Sequence, residues 1–117
     1  MPAKKQPGTI IMKYPVSQHG RFSVISLTGE VDLSCSPQAR EQILKCLKQG
    51  KNLLIDLSQV AYIDSSGVAS LVEGFQTARK QKLDFALVGV SKAAMQVLSL
   101  ARLDTVFTIY DSLDDCE

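Results

Sequence analysis

The chain has 117 residues, with 13 Lys and Arg against 12 Asp and Glu, a formal net charge of +1, and 45% apolar residues. That length holds one domain whose core needs no disulfide or metal staple, and without a long block of either charge it offers nucleic acid or an anionic membrane little to hold. Cys35, Cys46 and Cys116 are odd in number and lack a C-x-x-C spacing, so they read as reduced thiols of a cytoplasmic protein, with Cys116 beside the C-terminus expected to be exposed.

Residues 1–8 carry Lys4 and Lys5 between prolines and read as a flexible tail. The apolar patch that follows, Ile10-Ile11-Met12, is cut short by Lys13, too soon for a signal h-region or a membrane span, so no direct membrane insertion is expected. Residues 9–110 are assigned to a single α/β domain. It opens with two β-rich segments, residues 9–14 and 21–27, separated by turn-like Ser17-Gln18-His19-Gly20, which predicts a hairpin. The composition of residues 28–32 marks the end of the second strand.

Ser36-Pro37 supplies an N-cap and a proline for the first helical position, where its missing N–H costs nothing. Ala39, Ile43, Leu44 and Leu47 then recur at helical spacing until Gly50. Residues 53–57 are almost continuously apolar, as in a central strand covered on both faces, with Asp56 the exception. From Ser66 a second helix aligns Val68, Leu71, Val72, Phe75 and Ala78; Gly74 inside it costs roughly 1 kcal/mol relative to alanine, so packing must hold that helix. Residues 83–88 predict a strand, Ser91 caps a third helix bearing Ala94, Val97, Leu98 and Ala101, and residues 105–109 predict a last strand before an acidic C-terminal tail, 111–117. The order β-β-α-β-α-β-α-β implies a mixed, mainly parallel sheet with right-handed crossovers.

Enzymatic signatures are absent. The chain has no phosphate-cradling glycine loop, no dinucleotide fingerprint and no G-x-S-x-G elbow, and its single histidine, His19, falls in the predicted turn. A small hydrolase built on Ser65 and His19 would need those side chains within hydrogen-bond reach, ~3 Å. The expectation is a non-enzymatic protein without cofactor or metal.

What stands out is Tyr62-Ile63-Asp64-Ser65-Ser66-Gly67-Val68, two hydroxyls, an acid and a glycine where an apolar segment meets a helix. Locally it reads as a cap: Asp64 or Ser65 accepts from a first-turn N–H and Gly67 lets the helix approach the sheet. It also reads as a switch, because a helix N-terminus favours a phosphoryl group on Ser65 or Ser66 while Asp64 opposes it.

Gly29-Glu30-Val31-Asp32, Leu54-Ile55-Asp56-Leu57-Ser58, Ile63-Asp64-Ser65-Ser66-Gly67 and Leu87-Val88-Gly89-Val90, in that order on those elements, resemble the successive signatures of STAS domains over residues 21–109, in particular bacterial anti-sigma-factor antagonists. The resemblance implies that Ser65 is the phosphoacceptor of a kinase-type anti-sigma factor and is reset by a serine phosphatase. It implies too that Asp32, Asp64, Ser66 and Gly67 engage the partner, and that ATP and magnesium belong to the kinase. Other STAS proteins sit on the membrane permease and ATPase of Mla-type phospholipid transporters, and the segment 68–76 is similar to those as well, so lipid transport stands as the alternative.

Overall fold

The computed structural model describes residues 14–116. Strand β1, Val16–His19, pairs antiparallel with β2, Phe22–Val31; β3, Asn52–Ile63, β4, Phe85–Val88, and β5, Thr108–Tyr110, then add in parallel, giving the strand order β1-β2-β3-β4-β5. Helices α1, Ser36–Lys48, α2, Ser65–Lys80, and α3, Lys92–Leu100, supply the crossovers. This is the expected α/β order with one antiparallel pair. A strand order that follows the chain, with crossovers of one hand, leaves a single sheet face for all three helices.

The side chains obey that geometry. Leu53, Ile55 and Leu57 of β3 point into the helical layer with Ile25, Leu27 and Leu87, against Ala39, Ile43 and Leu47 of α1, Leu71 of α2 and Leu98 of α3. The alternate residues Phe22, Val24, Leu54, Ala86 and Val88 form a second cluster on the opposite face, packed against Tyr110, Leu113 and Cys116. The central strand is thus covered on both faces, each fully buried Leu or Ile contributing about 1.5–3 kcal/mol. The Cys116 thiol is buried at 4% exposure, not exposed as its position suggested, because a 3-10 turn over Leu113–Asp115 folds the chain end onto that second cluster.

Several boundaries move. Residues 1–13, which include the expected tail and most of the first predicted strand, lie outside the described residues. The expected turn at Ser17-Gln18-His19-Gly20 is mostly strand β1; the reversal is the two-residue Gly20-Arg21, with Gly20 at φ +58 in the first central position, where two-residue hairpins need a positive φ. β2 runs past Leu27 into the segment 28–32 expected to mark its end. Gly29 at φ +72 sits in a run of register shifts that bends the strand and lets it continue to Val31. Cys35, not Ser36, takes the cap position of α1, with Pro37 in its first turn and no side-chain cap. The last strand starts three residues later than expected, at Thr108, after Thr105–Phe107 are used in a turn.

Candidate functional site

Parallel pairing brings β2 and β3 to the same level at their C-terminal ends, Val31 opposite Ile63. Each strand is followed at once by an acid and a helix, Asp32 before α1 and Asp64 before α2. Both turns therefore emerge side by side from the C-terminal edge of the sheet, where open α/β folds place their binding sites.

Asp64 is the N-cap of α2, in extended conformation, and its Oδ1 accepts from the Ser66 N–H at 2.9 Å, the Gly67 N–H at 3.1 Å and the Ser66 hydroxyl at 2.6 Å. These bonds, the Ser66 hydroxyl foremost, with a further donor in the Leu33 N–H, hold the Asp64 carboxyl below its usual range. Gly67 is where α2 meets the sheet: a Cβ there would lie 2.6 Å from the Val31 carbonyl oxygen and 2.7 Å from Ile63 Cγ1. The Asp64 N–H donates to that same Val31 carbonyl at 3.3 Å.

The two serines differ sharply. Ser66 is half-buried and its hydroxyl is committed to Asp64, whereas Ser65 is exposed at the first helical position and its hydroxyl makes no hydrogen bond among the described residues. Asp32 is half-buried and builds its own turn: Oδ1 accepts from the Ser34 N–H at 3.0 Å and the Ser34 hydroxyl at 2.6 Å, and its carbonyl accepts from the Cys35 and Ser36 N–H groups at 2.9 and 2.7 Å. Tyr14 is buried behind this turn. Burial, then the Cys35 thiol and Asp32, pushes its hydroxyl up to about 12.

So Asp32, Asp64, Ser65, Ser66 and Gly67 share one edge. Sequence reasoning missed their apolar surroundings: Leu33 and Tyr62, one residue from Asp32 and two from Asp64, are 73% and 50% exposed. It also placed Val72, Val97 and Ala101 in core stripes. Val72 and Val97 do pack against the core but are half-buried, and Ala101 is exposed; with Val68 and Ala69 they line an open groove of about 820 Å³ along α2, and Ser65 stands at one end. The half-apolar environment of a groove has the same spacing as a core stripe, so periodicity alone does not separate them.

His19 plays no part here. It pairs with Phe22, the first residue of the ten-residue β2, which at about 3.3 Å per residue puts it roughly 30 Å from the edge that carries Ser65. That removes the Ser65–His19 hydrolase reading. Among the described residues no group of three or more His, Cys, Asp or Glu is arranged to hold a metal ion, and no helix is long and apolar enough to cross a membrane.

The profile of the STAS domain family matches residues 13–116. The anti-sigma-B factor antagonist of Bacillus subtilis is 28% identical over 94 residues, covering 80% of this chain and 86% of that protein. The anti-sigma-F factor antagonist RsfB of Mycobacterium tuberculosis is 29% identical over 103 residues, covering 86% and 82%. In three dimensions, the crystal structure of an anti-sigma factor antagonist from Mycobacterium paratuberculosis superposes with a TM-score of 0.76 at 29% identity, covering 96% of this chain and 94% of that one.

Proposed function

The chain belongs to the STAS domain family, and from that premise we propose that it is an anti-sigma-factor antagonist: a cytoplasmic binding protein, not an enzyme, that captures a kinase-type anti-sigma factor and is released by phosphorylation of Ser65. The relatives at 28% and 29% identity, antagonists of anti-sigma-B and anti-sigma-F factors, support the class. The observation that carries the switch is the contrast between the two serines, one hydroxyl exposed and unengaged at the helix mouth, the other bound to Asp64.

The step balances without any group from this chain beyond Ser65. Its Oγ forms a bond to the γ-phosphorus of ATP held with magnesium by the kinase, the bond from that phosphorus to the β-bridging oxygen breaks, ADP leaves, and the hydroxyl proton passes to a base of the kinase. The product carries about −2 charge. Because Asp64 already takes the Ser66 and Gly67 N–H groups, the new phosphate finds those two donors occupied and a carboxylate beside it. Its charge is then borne by the interface, where an unpaired buried charge costs several kcal/mol and ejects the partner. A serine phosphatase reverses the step.

The test is capture of partners by the tagged wild-type chain after detergent extraction, followed by incubation with ATP and magnesium. A soluble serine kinase is recovered, one phosphate is added, Ser65→Ala abolishes it and Ser66→Ala does not. Recovery of a membrane permease and ATPase without a kinase would establish the lipid-transport reading instead, and unchanged mass with every recovered kinase overturns the phosphoswitch.

A further inference from the structure

The buried seam between α1 and α2 is formed by Ala39, Ile43, Leu71 and the bare backbone of Gly74, with the Arg40–Glu73 ion pair at its exposed margin and Ser70 as a polar group inside it. Ser70, in the second turn of α2, is 5% exposed, and its hydroxyl has two acceptors in reach: the Ser66 carbonyl of its own helix at 3.1 Å and the Ser36 carbonyl of α1 at 3.3 Å. A helical serine that only bonds back four residues adds nothing to its helix. The reach to Ser36 is different in kind, because Ser36 is the 4%-exposed first residue of α1 and its N–H donates to the Asp32 carbonyl at 2.7 Å. The hydroxyl therefore joins the second turn of the helix that carries Ser65 to the first turn of the helix that follows Asp32.

One other tie, backbone to backbone, connects these turns, the Asp64 N–H to the Val31 carbonyl at the level of the strand ends. Between the helices there are two ties, the exposed Arg40–Glu73 pair and, nearer the helix starts, the buried Ser70 hydroxyl. Without the Ser70 hydroxyl the helix starts are held by the strand-level bond and a solvent-exposed ion pair, which is weak, and α2 is freer to rock on Gly67, where it rests on Val31 and Ile63.

Resting on the reading of Asp32 and Ser65 as parts of one partner-binding edge, we propose that Ser70 is a positioning residue that fixes the spacing of those two turns, so that a partner meets them as a single rigid surface. It touches neither the phosphoryl group nor the partner. Its effect is on how often the two turns stand at the binding distance.

Amide hydrogen exchange and kinetics of Ser65 phosphorylation test this on the full chain. Ser70→Ala raises exchange at the Ser36 and Asp64 amides by about fivefold, the loss of one hydrogen bond, while the central Ile55 and Leu87 amides keep their wild-type rates. With the kinase recovered by the wild-type chain, the same variant raises KM by a similar factor and leaves kcat within twofold. Ser70→Thr, which retains the hydroxyl, restores both. Unchanged exchange at Ser36 and Asp64, or a rise shared by Ile55 and Leu87, overturns the proposal, as does an unaltered KM in a variant whose local exchange has risen. If the wild-type chain recovers no kinase, the phosphoswitch fails and the exchange measurement alone decides the positioning role.

Discussion

At the mouth of α2 one carboxylate oxygen gathers three hydrogen bonds, and this makes the acid limb of stability a property of the site. The Asp64 carboxyl is held below its ordinary value of 3.8, so the unfolded chain takes up the proton more readily than the folded one. Its contribution is therefore fully present above about pH 4 and is lost as pH falls through the lowered folded value. Glu73, lowered by its bidentate pair with Arg40, acts in the same direction, so the wild-type profile alone does not isolate Asp64. Urea unfolding of wild type and Asp64→Asn does. Wild type is the more stable at pH 7 and the gap narrows below about pH 4; a gap independent of pH refutes the assignment. Ser65→Ala, which removes a hydroxyl without a partner, leaves stability at pH 7 within about 0.5 kcal/mol.

Glycine placement governs the helices in a way that propensity alone inverts. Alanine at position 74 would favour an isolated helix by about 1 kcal/mol, but its Cβ would lie 2.6 Å from Ile43 Cγ2 and 2.9 Å from Phe85 Cε2. Gly74→Ala is thus expected to destabilise by about 1–3 kcal/mol, read from the urea midpoint. At the end of the same helix the opposite holds. The Lys82 N–H donates to the Arg79 carbonyl and the Leu83 N–H to the Ala78 carbonyl, with Lys82 at φ +60; α1 closes in the same way with Gly50 at φ +78. Lys82→Gly relieves the left-handed strain and raises stability by about 0.5–1 kcal/mol. These details mark what was legible in the chain. The element order and the continuous apolar run of β3 follow from residue type and spacing, as does a cap at Asp64 or Ser65, between which the structure chooses Asp64; the close approach at Gly74 does not, since propensity gives only its cost. The candidate site's members were named by resemblance through four ordered motifs, but their arrangement was not legible, because it depends on β2 and β3 ending level. The hairpin itself was legible, but the place of its turn at Gly20-Arg21, the bulge at Gly29 and the buried Cys116 were hidden, each set by pairing or packing with distant residues rather than by local composition.

Over the whole molecule the near-neutral balance conceals a division of charge. Lys45 and Lys48 lie in the last turn of α1 and Arg79 and Lys80 in that of α2, with Lys51 and Lys82 just beyond. These cations complement the helix dipoles at the end of the domain opposite Ser65. At the other end, residues 28–37 and 58–73 contain Glu30, Asp32, Asp64 and Glu73 and not one Lys or Arg; the nearby Arg40 is spent on Glu73. A partner approaching the Ser65 edge meets a negative field framed by exposed Leu33 and Tyr62, which favours a cationic surface with apolar pockets and steers its approach. The association rate with the recovered kinase is therefore expected to fall as salt rises from about 50 to 500 mM, over which the screening length shortens several-fold. The dissociation rate changes less, since Leu33 and Tyr62 are anchored by burial rather than by charge. Asp32→Asn should reduce both the rate at low salt and the steepness of its salt dependence. A rate indifferent to salt in wild type would place the partner on some surface other than this edge, because no approach to Glu30, Asp32 and Asp64 together escapes their charge.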